Sequence, residues 1–394
     1  MFPKSLFRPH FRALVGSARP VLAALIGTLV LGGELAAQSR PDQVLWRNPA
    51  GRMKTDSGKV TEHSLARVVI EVNGREKSID SANVERVSFG QTPASFQDGR
   101  SLFDRGEFES AAVSYRKAAD DASSSPVVAA RARLLAGHSL LAAGAADPTQ
   151  FDKARVELET FVSDHSDSLD LGHARWSLGR AQLMSGEPAA AAATFGELFG
   201  EIPGGTPNEG YRASRCLRAG IDAGHAWLAA GDAAKAGEAF RALESPMATA
   251  LGTAEEGSAA RFELQNLQAE ARLGEGFVLL ASDSVSQAKT FFNGQLGGAN
   301  GDATLRYGAV LGLGEALLAE GKAREAQIEF ARVSALDHTD RDRVARALVG
   351  LAEAAMKLPD EGSSAMASTW LASVREQYPD SIWTTKAQEL ADKL

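Results

Sequence analysis

At 394 residues the chain is longer than one compact core usually allows, so it should contain several domains or an extended repeat array. Its formal net charge is -8 and charged residues make up 23%, which excludes a basic nucleic-acid-binding protein and a disordered polyelectrolyte. Aromatic residues make up only 7%, whereas glycine occurs 38 times. This composition suits close helix packing and predicts a mainly α fold.

The first 37 residues carry the pattern of a secretory signal peptide. A basic stretch precedes an apolar run from Val21 to Gly33, and the small residues Ala36 and Ala37 follow. This order predicts cleavage near Ala37. The apolar run has about thirteen residues, whereas a membrane span needs about 20. We therefore expect a soluble protein in the periplasm or outside the cell, without stable membrane insertion after cleavage. An uncleaved anchor is the alternative.

Residues 41–90 predict a small β module. Short runs with alternating apolar residues are separated by turns, and Asn73-Gly74 is a strong signal for a two-residue hairpin. The expected strands are Gln43–Arg47, Lys59–His63, Ala66–Val72, Lys77–Asp80 and Glu85–Phe89. This layout resembles the SH3-like or Sm-like β-barrels that precede helical repeats in some exported bacterial proteins. Such a module could bind peptides or cap the first helical repeat.

Residues 91–394 contain an internal repeat in which two glycines, an alanine and an aromatic residue recur at fixed offsets. Four copies agree without a gap: Gly99, Gly106, Ala111 and Tyr115; Gly179, Gly186, Ala191 and Phe195; Gly224, Gly231, Ala236 and Phe240; Gly314, Gly321, Ala326 and Phe330. Weaker copies start at Gly137 and Gly276, where Asp283 replaces the second glycine, and a degenerate seventh begins near Gly350.

The repeated pattern resembles that of tetratricopeptide repeat (TPR) proteins. The resemblance implies an α-α superhelical solenoid, here of about seven helical hairpins with a C-terminal capping helix. In each hairpin the first glycine should lie where the first helix crosses the second. The second glycine should end the first helix in a left-handed conformation. The aromatic residue should fill the gap to the following hairpin.

Three irregular segments interrupt or end the array. The widest spacing holds Glu244–Ser258, which we expect to be a hinge or a protruding loop, and Gly196–Gly210 reads as a linker. Trp383–Leu394 should form the capping helix. The Tyr378-Pro379-Asp380-Ser381 turn before it is similar to a turn in envelope TPR proteins that coordinate outer-membrane assembly or division.

No motif in the chain predicts catalysis. The glycine pairs at Gly274 and Gly312 lack the third glycine and the preceding strand of a dinucleotide site. Cys216 is the only cysteine, so it has no partner for a disulfide or a thiolate metal site. The seven histidines form no close pair at helical spacing. We therefore expect no catalytic residue, no metal site, no cofactor and no enzyme activity.

Aligning the repeats predicts one binding surface, on the first helices of the first four hairpins. In the TPR fold these helices line the concave groove. Basic residues recur there beside apolar positions: Arg100, Arg131, His138, His173, Trp176, Arg180, Arg218 and His225. Such a groove would hold an extended or helical acidic segment of another protein, and more tightly at low pH as the histidines become charged. A merely solvated helix face is the alternative.

The leading hypothesis is a non-catalytic protein-interaction scaffold in the cell envelope. A component of outer-membrane assembly or cell-division machinery is one alternative. A glycan- or solute-binding protein that uses Trp176 as a stacking platform is another.

Overall fold

The computed structural model describes residues 40–394, except 49 and 380. The predicted signal peptide at residues 1–37 lies outside the described residues. Within the described part, no helix combines the length and the apolar character that a bilayer span requires.

A five-stranded antiparallel sheet precedes the helices, as the sequence predicted. The strand order is β4-β3-β2-β1-β5. Asn73 and Gly74 have positive φ values of 52° and 73°, which is the hairpin turn expected of an Asn-Gly pair. The strands are β1 (Asp42–Arg47), β2 (Met53–His63), β3 (Arg67–Val72), β4 (Arg75–Asp80) and β5 (Val84–Ser88).

Strand β2 is about twice as long as predicted. Its first half is polar and mostly exposed, so it carries no apolar alternation for a sequence pattern to detect. Backbone pairing with β1 defines it instead, from Met53 opposite Arg47 to Gly58 opposite Asp42. The apolar face of the sheet is built by Val44, Val60, Val68, Ile70, Ile79 and Val84.

Helices fill the rest of the chain. They are α1 (Ala94–Asp104), α2 (Phe108–Ala119), α3 (Pro126–Ala143), α4 (Thr149–Asp164), α5 (Leu171–Met184), α6 (Pro188–Phe199), α7 (Ala213–Ala229), α8 (Ala233–Ala242), α9 (Glu244–Thr253), α10 (Ala259–Ala281), α11 (Val285–Gly298), α12 (Ala303–Ala319), α13 (Ala323–Leu336), α14 (Arg341–Met356), α15 (Ser363–Gln377) and α16 (Thr384–Ala391).

Seven antiparallel hairpins follow from this order: α1–α2, α3–α4, α5–α6, α7–α8, α10–α11, α12–α13 and α14–α15. The predicted solenoid of helical hairpins is therefore confirmed. Helix α16 has eight residues, so the capping helix is shorter than the predicted Trp383–Leu394.

Most inter-helix turns close through a left-handed residue. Gly321 has φ 78°, and the N–H of Lys322 donates to the carbonyl of Leu317 at 2.9 Å, which satisfies an orphan carbonyl at the end of α12. Asp283 takes the same conformation at φ 56° where the glycine is replaced. The second hairpin is the exception, because Gly144 keeps a right-handed φ of -56°. There the close approach of Phe151 excludes a side chain, since a Cβ on Gly144 would lie 2.1 Å from its ring.

Three aromatic residues of second helices, Phe240, Phe292 and Phe330, pack on a glycine of their own hairpin and on a glycine of the next. A Cβ on Gly276 would lie 2.5 Å from the ring of Phe292, and one on Gly312 of the following hairpin would lie 2.3 Å from it. The sequence interpretation identified only the contact with the following hairpin. Direct contact between the aromatic ring and the first glycine of the same hairpin explains why that position carries a small residue.

Gly350 does not begin the seventh copy as predicted. It packs against Phe330 of the preceding hairpin, at 2.6 Å for an added Cβ, as Gly312 packs against Phe292. Gly350 is therefore equivalent to Gly312. The first-glycine position of the seventh hairpin is taken by the buried Ala352, two residues later.

Both segments predicted as loops contain ordered structure. Glu244–Thr253 is helix α9, which buries Met247 and Ala250, so the widest spacing is not a protruding loop. Residues 196–199 continue helix α6. The following turn is packed against α9, because a Cβ on Gly205 would lie 2.4 Å from Thr249. The glycines and prolines there shape a compact turn.

The β sheet packs on the starts of the first helices of hairpins two to four. The N–H of Leu65 donates to the carbonyl of Asp167 at 2.7 Å, and the guanidinium of Arg212 donates to the carbonyl of Val84 at 3.0 Å. Val127 of α3 and Leu169 before α5 pack on the apolar face of the sheet. The sheet therefore covers one end of the helices on which the sequence predicts the binding surface.

Candidate functional site

The predicted binding residues lie on α1, α3, α5 and α7. We call their shared surface the first-helix face. Arg100 on α1 is exposed, whereas the other seven predicted residues are partly buried. The structure brings the residues of α3, α5 and α7 into one continuous row through contacts between neighbouring first helices. Arg100 takes no part in the contacts that join this row.

Two of the predicted arginines bind carboxylates of this chain. Arg131 forms an ion pair and hydrogen bond with Asp170, whose other oxygen lies 3.8 Å from Nδ1 of His63 in strand β2. Arg218 binds Glu270 of α10 through both guanidinium nitrogens, one of them at 2.9 Å. An acidic partner segment would have to compete with these internal carboxylates.

The predicted histidines are held neutral by burial. The rings of His138 and His173 are 4.7 Å apart. Burial lowers the pKa of His138 to about 3, with smaller contributions from His173 and Arg131. Burial likewise lowers the pKa of His173 to about 4, with Arg215 and Arg131 adding to the effect.

His225 is also enclosed, by the rings of Phe240 and Phe277 at 5.3 and 6.1 Å. Burial lowers its pKa to about 3, and nearby Arg346 and Arg218 contribute. The prediction that these histidines become charged in mildly acidic solution and strengthen binding is therefore wrong. Desolvation of the imidazolium outweighs the ordinary histidine pKa of about 6.5.

Trp176 is not a free stacking platform. Its indole N–H donates to Asp222 of α7 at 2.8 Å, and the guanidinium of Arg180 lies 5.0 Å from the ring centroid. Burial raises the pKa of Asp222 despite the nearby arginines and the indole hydrogen bond. The first contact joins α5 to α7 and uses the only polar group of the indole, and the second places a guanidinium over the ring.

A small cavity of about 210 Å³ lies within this row. Its walls come from α3, α4 and α5, and Pro379 of the C-terminal turn contributes to it from 195 residues beyond Met184 in the chain. The lining residues are His138, Leu141, Ala142, Phe151, His173, Trp176, Ser177, Arg180, Met184 and Pro379. The turn between α15 and α16 therefore reaches back to the first-helix face of the second and third hairpins.

A larger cavity, of about 380 Å³, lies among the C-terminal hairpins. Helices α10, α12, α13 and α14 provide its walls, and Trp383 provides one side just before α16. Sequence reasoning placed any groove in the first four hairpins and missed this site. The residue that could have indicated this cavity from the sequence is Trp383, which was assigned only to the capping segment.

Ser177 and His138 have the spacing of a nucleophile and its base, since the hydroxyl oxygen and Nε2 are 2.9 Å apart. Their environment opposes that chemistry. Ser177 is buried inside α5 and His138 has a pKa of about 3, whereas a general base works best near the operating pH. This contact is better explained as the hydrogen bond that satisfies a buried hydroxyl.

Cys216, the single cysteine of the chain, is not a reactive thiol. Burial raises the pKa of the Cys216 thiol to about 12, which suppresses the reactive thiolate. In the described part of the chain, no group of three or more histidine, cysteine or acidic side chains is arranged to hold a metal ion.

Comparison with known proteins gives structural matches alone. No family model and no curated protein matches the chain. A tetratricopeptide repeat protein from Parabacteroides merdae is 14% identical over 76% of this chain and 96% of its own, with a TM-score of 0.47. The TPR domain of P58(IPK) is 14% identical over 76% of this chain and 79% of its own, with a TM-score of 0.25.

Proposed function

We propose that the protein is an exported, non-catalytic scaffold that binds another protein along the first helices of its solenoid. The observation that carries this proposal is the array of stacked hairpins itself. Seven hairpins give it an extended length, with a cavity of about 210 Å³ at the first-helix face and another of about 380 Å³ among the C-terminal hairpins. Arrays of stacked hairpins create extended surfaces that suit macromolecular partners more than small substrates.

The exported location rests on the sequence pattern of residues 1–37, in which a basic stretch, an apolar run and small residues occur in that order. Export would place the partner in the cell envelope or outside the cell. A role in envelope assembly or division rests on the Tyr378-Pro379-Asp380-Ser381 turn alone. Resemblance of the β module to SH3-like barrels rests on the strand rhythm.

Fewer of the predicted arginines are available to an acidic partner segment than the sequence suggested. Arg131 and Arg218 are paired with Asp170 and Glu270, so Arg100 is the exposed arginine of the predicted set. The acidic-segment hypothesis therefore depends most on Arg100. The glycan-binding alternative is weakened because Trp176 is already bonded to Asp222.

Cross-linking and affinity capture with residues 38–394 test the scaffold function. The purified chain would be mixed with envelope extract of the cells that produce it, cross-linked, and analysed by mass spectrometry. One stoichiometric protein cross-linked to α5, α7, α12 or α14 is the expected result. Retention on glycan resin without any stoichiometric protein would contradict the proposal.

A further inference from the structure

We propose that the larger cavity receives an uncharged aromatic side chain of the partner protein. This inference rests on the proposed scaffold function for the source of that side chain. The binding chemistry of the cavity can be tested separately.

The cavity is walled mainly by apolar groups from four helices. They are supplied by Leu280 of α10, Leu318 and Ala319 of α12, Phe330 of α13, and Val349 and Gly350 of α14. Trp383 closes one side. Its volume of about 380 Å³ falls within the range of about 300–1,000 Å³ that is typical of ligand pockets. The space therefore suits one large apolar side chain.

The charged groups at the cavity are largely satisfied within the chain. Arg346 donates to both oxygens of Glu315, at 2.6 and 2.8 Å. Its guanidinium also lies 4.0 Å from the ring centroid of Phe277 and 4.9 Å from that of Trp383. Arg346 thus has little capacity left for a carboxylate from outside.

Glu353 is the second acidic group in the wall. Burial raises its pKa although Lys386 lies 3.8 Å away, because the cavity solvates its charge poorly. Lys357 is exposed at the rim, where water solvates its ammonium group. Arg346 and Glu353 are thus each balanced by a charge of this chain, and Lys357 is the lining charge that is left to water.

An aromatic ring suits this cavity because it is both large and apolar and carries no charge. A phenyl or indole ring buries a large apolar area and can pack against the partly exposed ring of Trp383 with favourable edge or offset geometry. Aromatic side chains that fill pockets are also the residues that contribute most to protein–protein affinity. The occupant is therefore an aromatic residue of a partner segment that lies across α12 and α14.

Three capped amino acids of different charge test the preference of the cavity. N-acetylphenylalaninamide, N-acetyllysinamide and N-acetylglutamate-α-amide would each be titrated into the protein, and the ¹⁵N–¹H indole signal of Trp383 recorded. The signal is the one that disappears in Trp383→Phe. The phenylalanine compound is expected to shift it saturably, with the two charged compounds binding at least about tenfold more weakly, as a difference of about 1.4 kcal/mol implies.

A cavity-filling variant locates the binding. Ala319 is exposed at the end of α12 and lines the cavity, so Ala319→Phe should occupy the space and weaken binding at least about tenfold. Ala229 ends α7 and lies as many residues after the first glycine of its hairpin as Ala319 does in α12. It is also exposed and lines neither cavity. Ala229→Phe should bind N-acetylphenylalaninamide as the unmodified chain does.

The inference is overturned if no compound shifts the signal, if the three bind alike or a charged one binds best, or if Ala319→Phe binds normally. Failure of the scaffold function gives a different result. In that case N-acetylphenylalaninamide binds as expected while no protein is captured from the extract. If the unmodified chain and Ala319→Phe capture one partner equally, the scaffold function is supported, but the cavity does not take part in binding that partner.

Discussion

The ring of Phe292 lies so close to Gly312 of the next hairpin that a Cβ atom there would come within 2.3 Å of it. Gly312→Ala should therefore force the ring or the helices apart and lower the free energy of unfolding by about 1–3 kcal/mol. Chemical denaturation measures this change. The two hairpins would be displaced where α12 packs against the ring of Phe292.

Gly294 provides the matched control in the same region. It lies inside α11, and nothing is within 4 Å of a Cβ built there. Gly294→Ala should raise stability by up to about 1 kcal/mol, because alanine favours the helix over the unfolded chain. Equal effects of the two substitutions would show that the packing against Phe292 is unimportant.

Asp283 gives a second test, of the inter-helix turn. It adopts φ 56°, a conformation that glycine reaches at a lower cost than other residues. Asp283→Gly should raise stability by about 0.5–1 kcal/mol, whereas Gly321→Ala, at φ 78°, should lower it by about 1 kcal/mol. Thermal unfolding measures both variants. A fall in stability for Asp283→Gly would mean that its carboxylate has a role beyond the turn.

The hairpins could be predicted because their determinants are local and repeated. Each glycine, alanine and aromatic residue stands at a fixed offset, so the register follows from the chain alone, and it was wrong at Gly350 where a neighbouring hairpin decides the role. The binding surface could not be predicted in the same way. Whether Arg218 is available depends on Glu270, 52 residues later, and no local pattern encodes that pairing.

Buried histidines predict the pH dependence of stability. His138 and His225 have folded pKa values of about 3, below the unfolded value of about 6.5, so the unfolded chain binds protons first. Their stabilising contribution is complete above about pH 6.5 and is lost as the pH falls toward 3. Each should remove up to about 1.4 kcal/mol per pH unit in that window.

Unfolding measured at pH 7, 6, 5 and 4 checks this slope. His225→Leu should reduce it, because leucine fits between Phe240 and Phe277 without titrating. His338 is exposed, and His338→Leu is the control that should leave the slope unchanged. An identical pH profile for His225→Leu and the unmodified chain would contradict this prediction, because it would mean that the pKa of His225 is the same in the folded and unfolded chains.

A buried ion pair joins the sixth hairpin to the seventh. Nε of Arg343 donates to Asp337 at 2.6 Å, and both side chains are almost fully enclosed. Arg343→Leu leaves the carboxylate without its cation in a buried site, so stability should fall by about 3–5 kcal/mol. Arg332 pairs with Glu329 on the surface of α13, and Arg332→Leu should change stability by less than about 1 kcal/mol. Urea unfolding of the two variants separates the buried pair from the exposed one.

Charge reversal at Arg218 and Arg100 separates structural from partner-binding arginines. Arg218→Glu places a carboxylate opposite Glu270 and should lower stability by about 2–3 kcal/mol, since hydrogen bonds between charged groups are lost and like charges meet. Reversal at Arg218 therefore changes the stability of the chain and cannot by itself report on partner binding.

Arg100→Glu should leave the melting temperature unchanged, because Arg100 is exposed on α1. If the captured partner presents an acidic segment to this end of the array, the same substitution should weaken its binding, and more strongly at low ionic strength because exposed charges are screened by salt. Binding at 50 and 500 mM salt would be compared with that of Arg75→Glu, an exposed reversal on strand β4. Equal affinities for Arg100→Glu, Arg75→Glu and the unmodified chain would remove Arg100 from the binding surface, and the acidic-segment hypothesis would lose the exposed arginine on which it most depends.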